Sequence, residues 1–166
     1  MPPKAPVDPT EIKYITMKCV GGEAPSAAAL APKCAPCGLP PKKVGEDIQK
    51  ATPNWKGIKI EVEIAVQNRQ CTVRVLPTAA PLVLKALKEP ARDRKKTKNV
   101  VHNGSLKLDD VIEIAKQMRE KSYAATFVGT VKEILGTCVS VGCSVDGKSP
   151  KDITAAIDAG EIEINE

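Results

Sequence analysis

Residues 85–104 read KALKEPARDRKKTKNVVHNG. The cations Lys85, Lys88, Arg92, Arg94, Lys95, Lys96 and Lys98 face only two acids there, Glu89 and Asp93, and the single histidine, His102, closes the run. Ammonium and guanidinium groups at this density repel one another, and Pro90 interrupts any helix that could carry them. Such a run either binds a polyanion or remains a solvated loop. A second set of residues falls on one helical stripe. Gly129, Gly136 and Ser140 are spaced by seven and four, with Thr130 and Thr137 beside them. A glycine inside a helix costs ~1 kcal/mol relative to alanine, so two of them require a reason. Either another helix packs closely on the stripe, or a bulky backbone lies along it. An RNA strand would meet hydroxyls and amides there, within reach of its phosphates and 2′-hydroxyls. A basic loop and a small-residue stripe in one module favour structured RNA.

Other chemistry finds little support. Cys34-Ala-Pro-Cys37 imitates a redox C-x-P-C motif. A redox thiol needs a helix N-terminus close behind it to lower its pKa, and Leu39-Pro40-Pro41 intervene. A zinc site would need four ligands, and Cys138 and Cys143 fall in a different module. His102 has no evident nucleophile as partner, and no glycine-rich nucleotide loop is present. The expectation is a protein with no catalytic residue, no metal and no cofactor.

The bulk composition agrees. The chain has 166 residues, 42% hydrophobic and 27% charged, which suits a folded protein of one ordinary domain or two small ones. Its only aromatics are Tyr14, Trp55, Tyr123 and Phe127, so the cores must be aliphatic and a multi-base stacking platform is not expected. Residues 1–76 carry 11 Lys/Arg against 7 Asp/Glu, and residues 77–146 carry 12 against 8. The last twenty carry 2 against 5, so the positive charge belongs to the folded segments and the tail is acidic. No apolar run approaches the ~20 residues of a membrane span. MPPKAPVDPTE lacks the features of a signal or transit peptide, and the six cysteines sit within regular apolar patterns. Reduced thiols, a cytoplasmic location and no membrane or DNA partner are therefore expected.

The elements that must hold these residues follow from periodicity. Residues 12–20 and 58–66 alternate as strands, Asn68-Arg69 makes a turn, and residues 70–76 return as a third strand. Between the first two strands, Pro25, Pro32, Pro36, Pro40 and Pro41 crowd a segment expected to be stiff, largely exposed and short of internal hydrogen bonds. Pro41 opens a helix to about residue 52, with Val44, Ile48 and Ala51 inward. Further helices are expected over residues 81–88, 109–122, 125–141 and 152–159. The fold class is α+β: a small N-terminal α/β sandwich with a three-stranded sheet, hinged to a mainly helical C-terminal module. The divisions are a flexible tail 1–10, a first domain 11–76, a proline hinge 77–80, an RNA-binding domain 81–146 and an extension 147–166.

Several stretches are long enough to carry a resemblance: residues 132–143 (KEILGTCVSVGC), IQK with WKGIKI around Trp55, VQNRQ at 66–70, ALKEPARDRKK at 86–96, and the N-terminal PPK, KYI and VGGE. Together they closely resemble the universal large-subunit ribosomal protein at the base of the stalk, number eleven in the bacterial scheme and twelve in the older eukaryotic one. The resemblance runs from Pro2 to about Glu163, and the basic insert and C-terminal segment look eukaryotic.

It implies a structural, non-enzymatic protein whose C-terminal domain grips the rRNA of the GTPase-associated centre. The implied rRNA-binding residues are Lys88, Arg92, Arg94, Lys95, Lys96, Lys98, Asn103 and Gly104 in the loop, and Gly129, Thr130, Gly136, Thr137, Ser140 and Gly142 on the last long helix. The N-terminal domain would meet the acidic stalk-base protein and translational GTPase elongation factors through Pro32, Pro36, Gly38, Leu39 and Pro41. Pro2 is similar to the family's N-terminal methylation signal, and ribosome assembly implies transit through the nucleus and nucleolus.

One segment departs from the family pattern. Members of this type usually read K-I-G-P-L-G-L-S-P-K-K where residues 33–43 here read KCAPCGLPPKK. Pro40 thus replaces a phosphorylatable serine, and Cys34 and Cys37 enter. The competing functions are an interaction adaptor acting through this proline-rich segment and a thiol redox protein using the two cysteines.

Overall fold

In the first half of the chain, apolar residues recur at every second position, and those runs pair as one sheet. The computed structural model describes residues 10–90, 96–98, 100 and 102–166, and divides the chain into two compact units, Met1–Leu76 and Pro77–Glu166. In the first unit, β1 (Lys13–Val20), β2 (Lys59–Gln67) and β3 (Gln70–Leu76) form an antiparallel sheet in the order β1-β2-β3. Along β2, Ile60, Val62, Ile64 and Val66 point inward, while Glu61 and Glu63 alternate to the other face. Met17 of β1 and Val75 of β3 both oppose Val62, which fixes the register. A slip by one residue would turn the whole apolar set to water. Asn68 and Arg69 have φ of 50° and 60°, the paired left-handed values of a two-residue hairpin turn.

The proline-rich segment is largely exposed, as expected, but it is not short of internal hydrogen bonds. It forms helix α1 (Ala27–Cys34), a 3-10 turn (Ala35–Cys37) and helix α2 (Pro41–Ala51). Leu30, Cys34 and Leu39 are buried in the first core with Val44 and Ile48. The backbone is hydrogen-bonded: Leu30 N donates to Ser26 O at 3.2 Å and Leu39 N to Cys34 O at 3.3 Å. Three alanines in a row and a leucine at the right spacing form a helix that buries one side, and that outweighs the single donor lost at Pro32. Ala51, expected inward, is exposed because α2 ends on it.

The second unit holds α3 (Ala79–Ala86), α4 (Leu108–Met118), α5 (Phe127–Val141) and α6 (Pro150–Asp158). A two-residue parallel bridge joins β4 (Ser105–Leu106) to β5 (Ser144–Val145). Helix α3 starts two residues earlier than expected. Thr78 is extended and its carbonyl accepts from Leu82 N, so Pro81 falls in the first turn, where no N–H is required of it. Only Pro77 and Thr78 then separate β3 from α3.

The helix expected in the extension 147–166 is α6, and it joins the second core. Ile153 and Ile157, one turn apart, bury against the cluster of Val111, Val131 and Leu135, and Ile162 and Ile164 pack at its edge. No helix among the described residues is long and apolar enough to cross a membrane.

Candidate nucleic-acid interface

Helix α5 is built around Val131, Ile134, Leu135 and Cys138, all 2% exposed or less. Thr126 caps it by accepting from Gly129 N at 3.3 Å. Gly142 ends it with φ of 93°, a left-handed position, and donates to Cys138 O at 2.9 Å. With its core face fixed, the helix leaves Glu133, Gly136, Val139 and Ser140 exposed and Thr137 half-buried.

The two interior glycines turn out to serve different purposes. A β-carbon on Gly129 would come within 2.7 Å of the Ala124 β-carbon, so its absence lets the turn before α5 fold onto the helix. A β-carbon on Gly136 would meet nothing within 4 Å. That glycine weakens the middle of a helix by ~1 kcal/mol and gains no internal contact.

The hydroxyls along the stripe are already oriented. Thr137 donates to Glu133 O at 3.2 Å and Ser140 to Thr137 O at 2.9 Å. A hydroxyl whose proton is engaged keeps its lone pairs. The face therefore accepts hydrogen bonds, and 2′-hydroxyls and base amino groups are donors that match it. The neighbouring cation does not alter this, because Lys132 pairs with Asp158 of α6.

The loop supplies the cations. Lys88, Lys96 and Lys98 are exposed, as is Asn103. Arg92, Arg94 and Lys95 lie outside the described residues, as does Pro2. His102 Nδ1 is hydrogen-bonded to the Glu89 carboxylate, which ties the return of the basic run to its start. Gly104 sits where a β-carbon would approach Leu87 Cδ2 to 2.8 Å, and its carbonyl accepts from Ser144 N at 3.0 Å. The bridge thus holds the end of the loop beside the end of α5. Gly104 and Gly142 shape the backbone there.

Two residues expected at interfaces are buried instead. Thr130 has no exposed surface, because its hydroxyl belongs to a chain of hydrogen bonds beneath the turn before α5. Arg119 Nη1 donates to Thr130 Oγ1 at 3.3 Å, Thr130 donates to Ser122 Oγ at 2.9 Å, and Ser122 donates to Glu133 Oε2 at 2.7 Å. A cation at one end and a carboxylate at the other polarise every link. Arg119 and Ser122 were not anticipated; the only signal was two hydroxyls flanking the capping Thr126. In the first unit Leu39 is 5% exposed and packs in the core, whereas Pro32, Pro36 and Gly38 are exposed and Pro41 is half-buried.

Cys34, Cys71 and Cys138 are held in the protonated form. Burial, then the neighbouring Cys37, pushes the Cys34 thiol up, the opposite of what a nucleophilic thiolate needs. Burial and a thiol–carboxylate hydrogen bond of 3.1 Å to Asp47 push Cys71 up to about 11. Burial and the nearby Cys143 push Cys138 up to about 12.

Sequence comparisons divide the chain much as the folded units do. The family model "Ribosomal protein L11, N-terminal domain" matches residues 15–71, and "Ribosomal protein L11, RNA binding domain" matches residues 75–145. "Large ribosomal subunit protein uL11A" of Schizosaccharomyces pombe is 60% identical over 164 residues, covering 99% of this chain and 98% of that protein. The chain belongs to the ribosomal protein L11 family. The Saccharomyces cerevisiae protein of the same name is 59% identical over 166 residues, covering 100% of this chain and 99% of its own. Arabidopsis thaliana "Large ribosomal subunit protein uL11x" is 59% identical over 165 residues, covering 99% and 98%. As an L11 protein of eukaryotic type, the chain is a structural, rRNA-binding ribosomal constituent and not an enzyme. Its RNA-binding match contains the basic loop and the whole of α5.

Proposed function

We propose that this L11 protein is the constituent of the large ribosomal subunit that binds the GTPase-centre rRNA at the stalk base. Two surfaces of the second unit share the task. Lys88, Lys96 and Lys98, with Arg92, Arg94 and Lys95, attract the phosphates, and Asn103 reaches out beside them. Gly136, Thr137 and Ser140 accept the close approach of a folded strand, while Gly129, Gly104 and Gly142 shape the backbone that borders it. The observation that carries this reading is Gly136: a helix-weakening residue that faces open space within the matched RNA-binding region. A strand lying close on the helix is what such a residue admits.

In the same reading the first unit presents Pro32, Pro36, Gly38 and Pro41 to the acidic stalk-base protein and to translational GTPases, from beyond a hinge at Pro77 and Thr78. A chemical footprint of residues 32–41 on ribosomes, with and without a bound elongation factor, tests this. Pro2 is the site of N-terminal methylation, which the intact mass of the native protein reveals. The protein works on cytoplasmic ribosomes after assembly in the nucleus.

The deciding experiment titrates the full chain with the GTPase-centre rRNA hairpin, and with an unrelated hairpin of equal length, at several salt concentrations. A piece ending at residue 146 would not serve, because it removes Ile153 and Ile157 from the core. Tight binding of the first hairpin that weakens with salt, and weaker binding of the second, is the expected result. Equal affinity for the two would reject the reading.

A further inference from the structure

Tyr123 stands out among the few aromatic side chains. Phe127 is buried, whereas the Tyr123 side chain is 102% exposed, with both ring faces in water. The backbone around it is held firmly. Ser122 N donates to Arg119 O at 3.3 Å, and Ala124 N donates to Ser122 Oγ at 3.1 Å. The Arg119 guanidinium donates to Ala124 O at 2.9 Å and to Ala125 O at 3.1 Å. A clamped backbone thus presents an uncovered ring.

The ring's position extends the face already described. Ala124 packs on Gly129, and Ser122 donates to Glu133, so residues 122–124 lie along the N-terminal end of the α5 stripe. Its flanks carry charge: Glu120 and Lys121 are exposed beside it. A protein-docking aromatic normally sits within a wider apolar patch, whereas a base needs only one π-face. Tyrosine also loses little conformational freedom on binding, having two side-chain torsions.

We propose that Tyr123 stacks on an unpaired base of the RNA that lies along α5. The assignment rests on the rRNA-binding reading above and adds a base-contacting residue to it. The scarcity of aromatics excludes a platform for a run of bases; one presented ring suits a single splayed base in a folded RNA.

Full-length Tyr123→Phe, Tyr123→Leu and Tyr123→Ala, titrated with the GTPase-centre hairpin at three salt concentrations, test it. Tyr123→Phe keeps the stacking face and should bind within about twofold of the parent. Tyr123→Ala should lose about 5- to 150-fold in affinity, the range one base–aromatic stack carries, and Tyr123→Leu should fall nearer alanine. The slope of log affinity against log salt should not change, because no phosphate contact is removed. Thermal midpoints should match, since the side chain touches no core. Replacing unpaired bases of the hairpin one at a time by abasic sites should reveal one position at which parent and Tyr123→Ala bind alike. If the parent binds the hairpin specifically and Tyr123→Ala binds within twofold of it, the stacking role is overturned while the rRNA-binding reading stands. If the parent does not distinguish the hairpin from an unrelated one, both fall.

Discussion

Helices α1 and α5 each carry residues that weaken a helix, and the surroundings absorb them in opposite ways. In α1, Pro32 removes a backbone donor, and the chain tightens into a 3-10 turn at Ala35 and reverses at Gly38, where φ is 68°. That curl brings Cys34 and Leu39 into the first core. The irregularity is explained from inside the unit. In α5, Gly129 is likewise explained from inside, by Ala124, but Gly136 is not. A departure from local propensity that packing accounts for says something about the fold. One that packing leaves over points to a partner.

The largest test of that contrast lies in α1. If the proline-rich segment is a core element, Leu30→Ala should cost the first unit about 2–5 kcal/mol, as a fully buried leucine does. RNA affinity of the intact second unit should barely change. Denaturant titration followed by Trp55 fluorescence, with hairpin binding measured alongside, checks both parts; an unchanged midpoint would return the segment to being a surface loop. The second test uses the thiol each helix buries. Burial and the nearby Cys143 push the Cys138 thiol of the folded chain up to about 12, from an ordinary value of 9.0. Its protonated form is favoured by folding, so its contribution is complete below pH 9 and is lost as pH rises towards 12. The second unit should thus lose thermal stability steadily on this alkaline arm, and Cys138→Ala should flatten it. An arm that keeps its slope in Cys138→Ala would show that another group governs it.

A closer test sets one glycine against the other. In Gly129→Ala the new methyl meets Ala124, whose carbonyl Arg119 holds in place. Overpacking of about 1–3 kcal/mol should outweigh the ~1 kcal/mol gained in helix propensity, so the variant should unfold earlier. Gly136→Ala meets open space and should be more stable by ~1 kcal/mol, yet bind the hairpin more weakly. Opposite signs of stability and affinity in a single variant are hard to obtain unless the surface is occupied in the complex. A Gly136→Ala protein that is both more stable and equally tight would remove the argument from that residue.

Much of this was readable before folding. Strict alternation at residues 60–66 and the Asn68-Arg69 turn specified the hairpin, since a period of two admits one inward face. The stripe spacing on α5 singled out one face of one helix, because seven and four residues return to one side whatever packs opposite. Prolines misled in residues 25–41: each restricts its own φ and its neighbour, but burial of Leu30, Cys34 and Leu39 is a tertiary gain that no local rule contains. The acidic sum over the last twenty residues hid the Ile153 and Ile157 pair in the same way. Which glycine packs and which lies open depends on where the turn before α5 falls, and Thr130 is buried for that same reason.

The smallest effect separates charges that count from charges already engaged. Lys132 pairs with Asp158, with side chains 34% and 58% exposed, while Lys98 of the loop is exposed. An exposed pair contributes about 0–1 kcal/mol, so Lys132→Ala should shift the unfolding midpoint little. The two lysines should differ in the salt dependence of RNA binding. Each phosphate that a cation neutralises releases counterions and adds about 0.7–0.9 to the slope of log affinity against log salt. Lys98→Ala should reduce the slope by about that amount, whatever hairpin is used, because phosphate attraction carries no sequence information. Lys132→Ala should leave it unchanged, since a cation held by a carboxylate on α6 has no phosphate to give up. Equal changes in slope would mean that the α5 face is bound through its charge. The open glycine, Gly136, and the oriented hydroxyls would then have to be explained without an RNA strand lying on them.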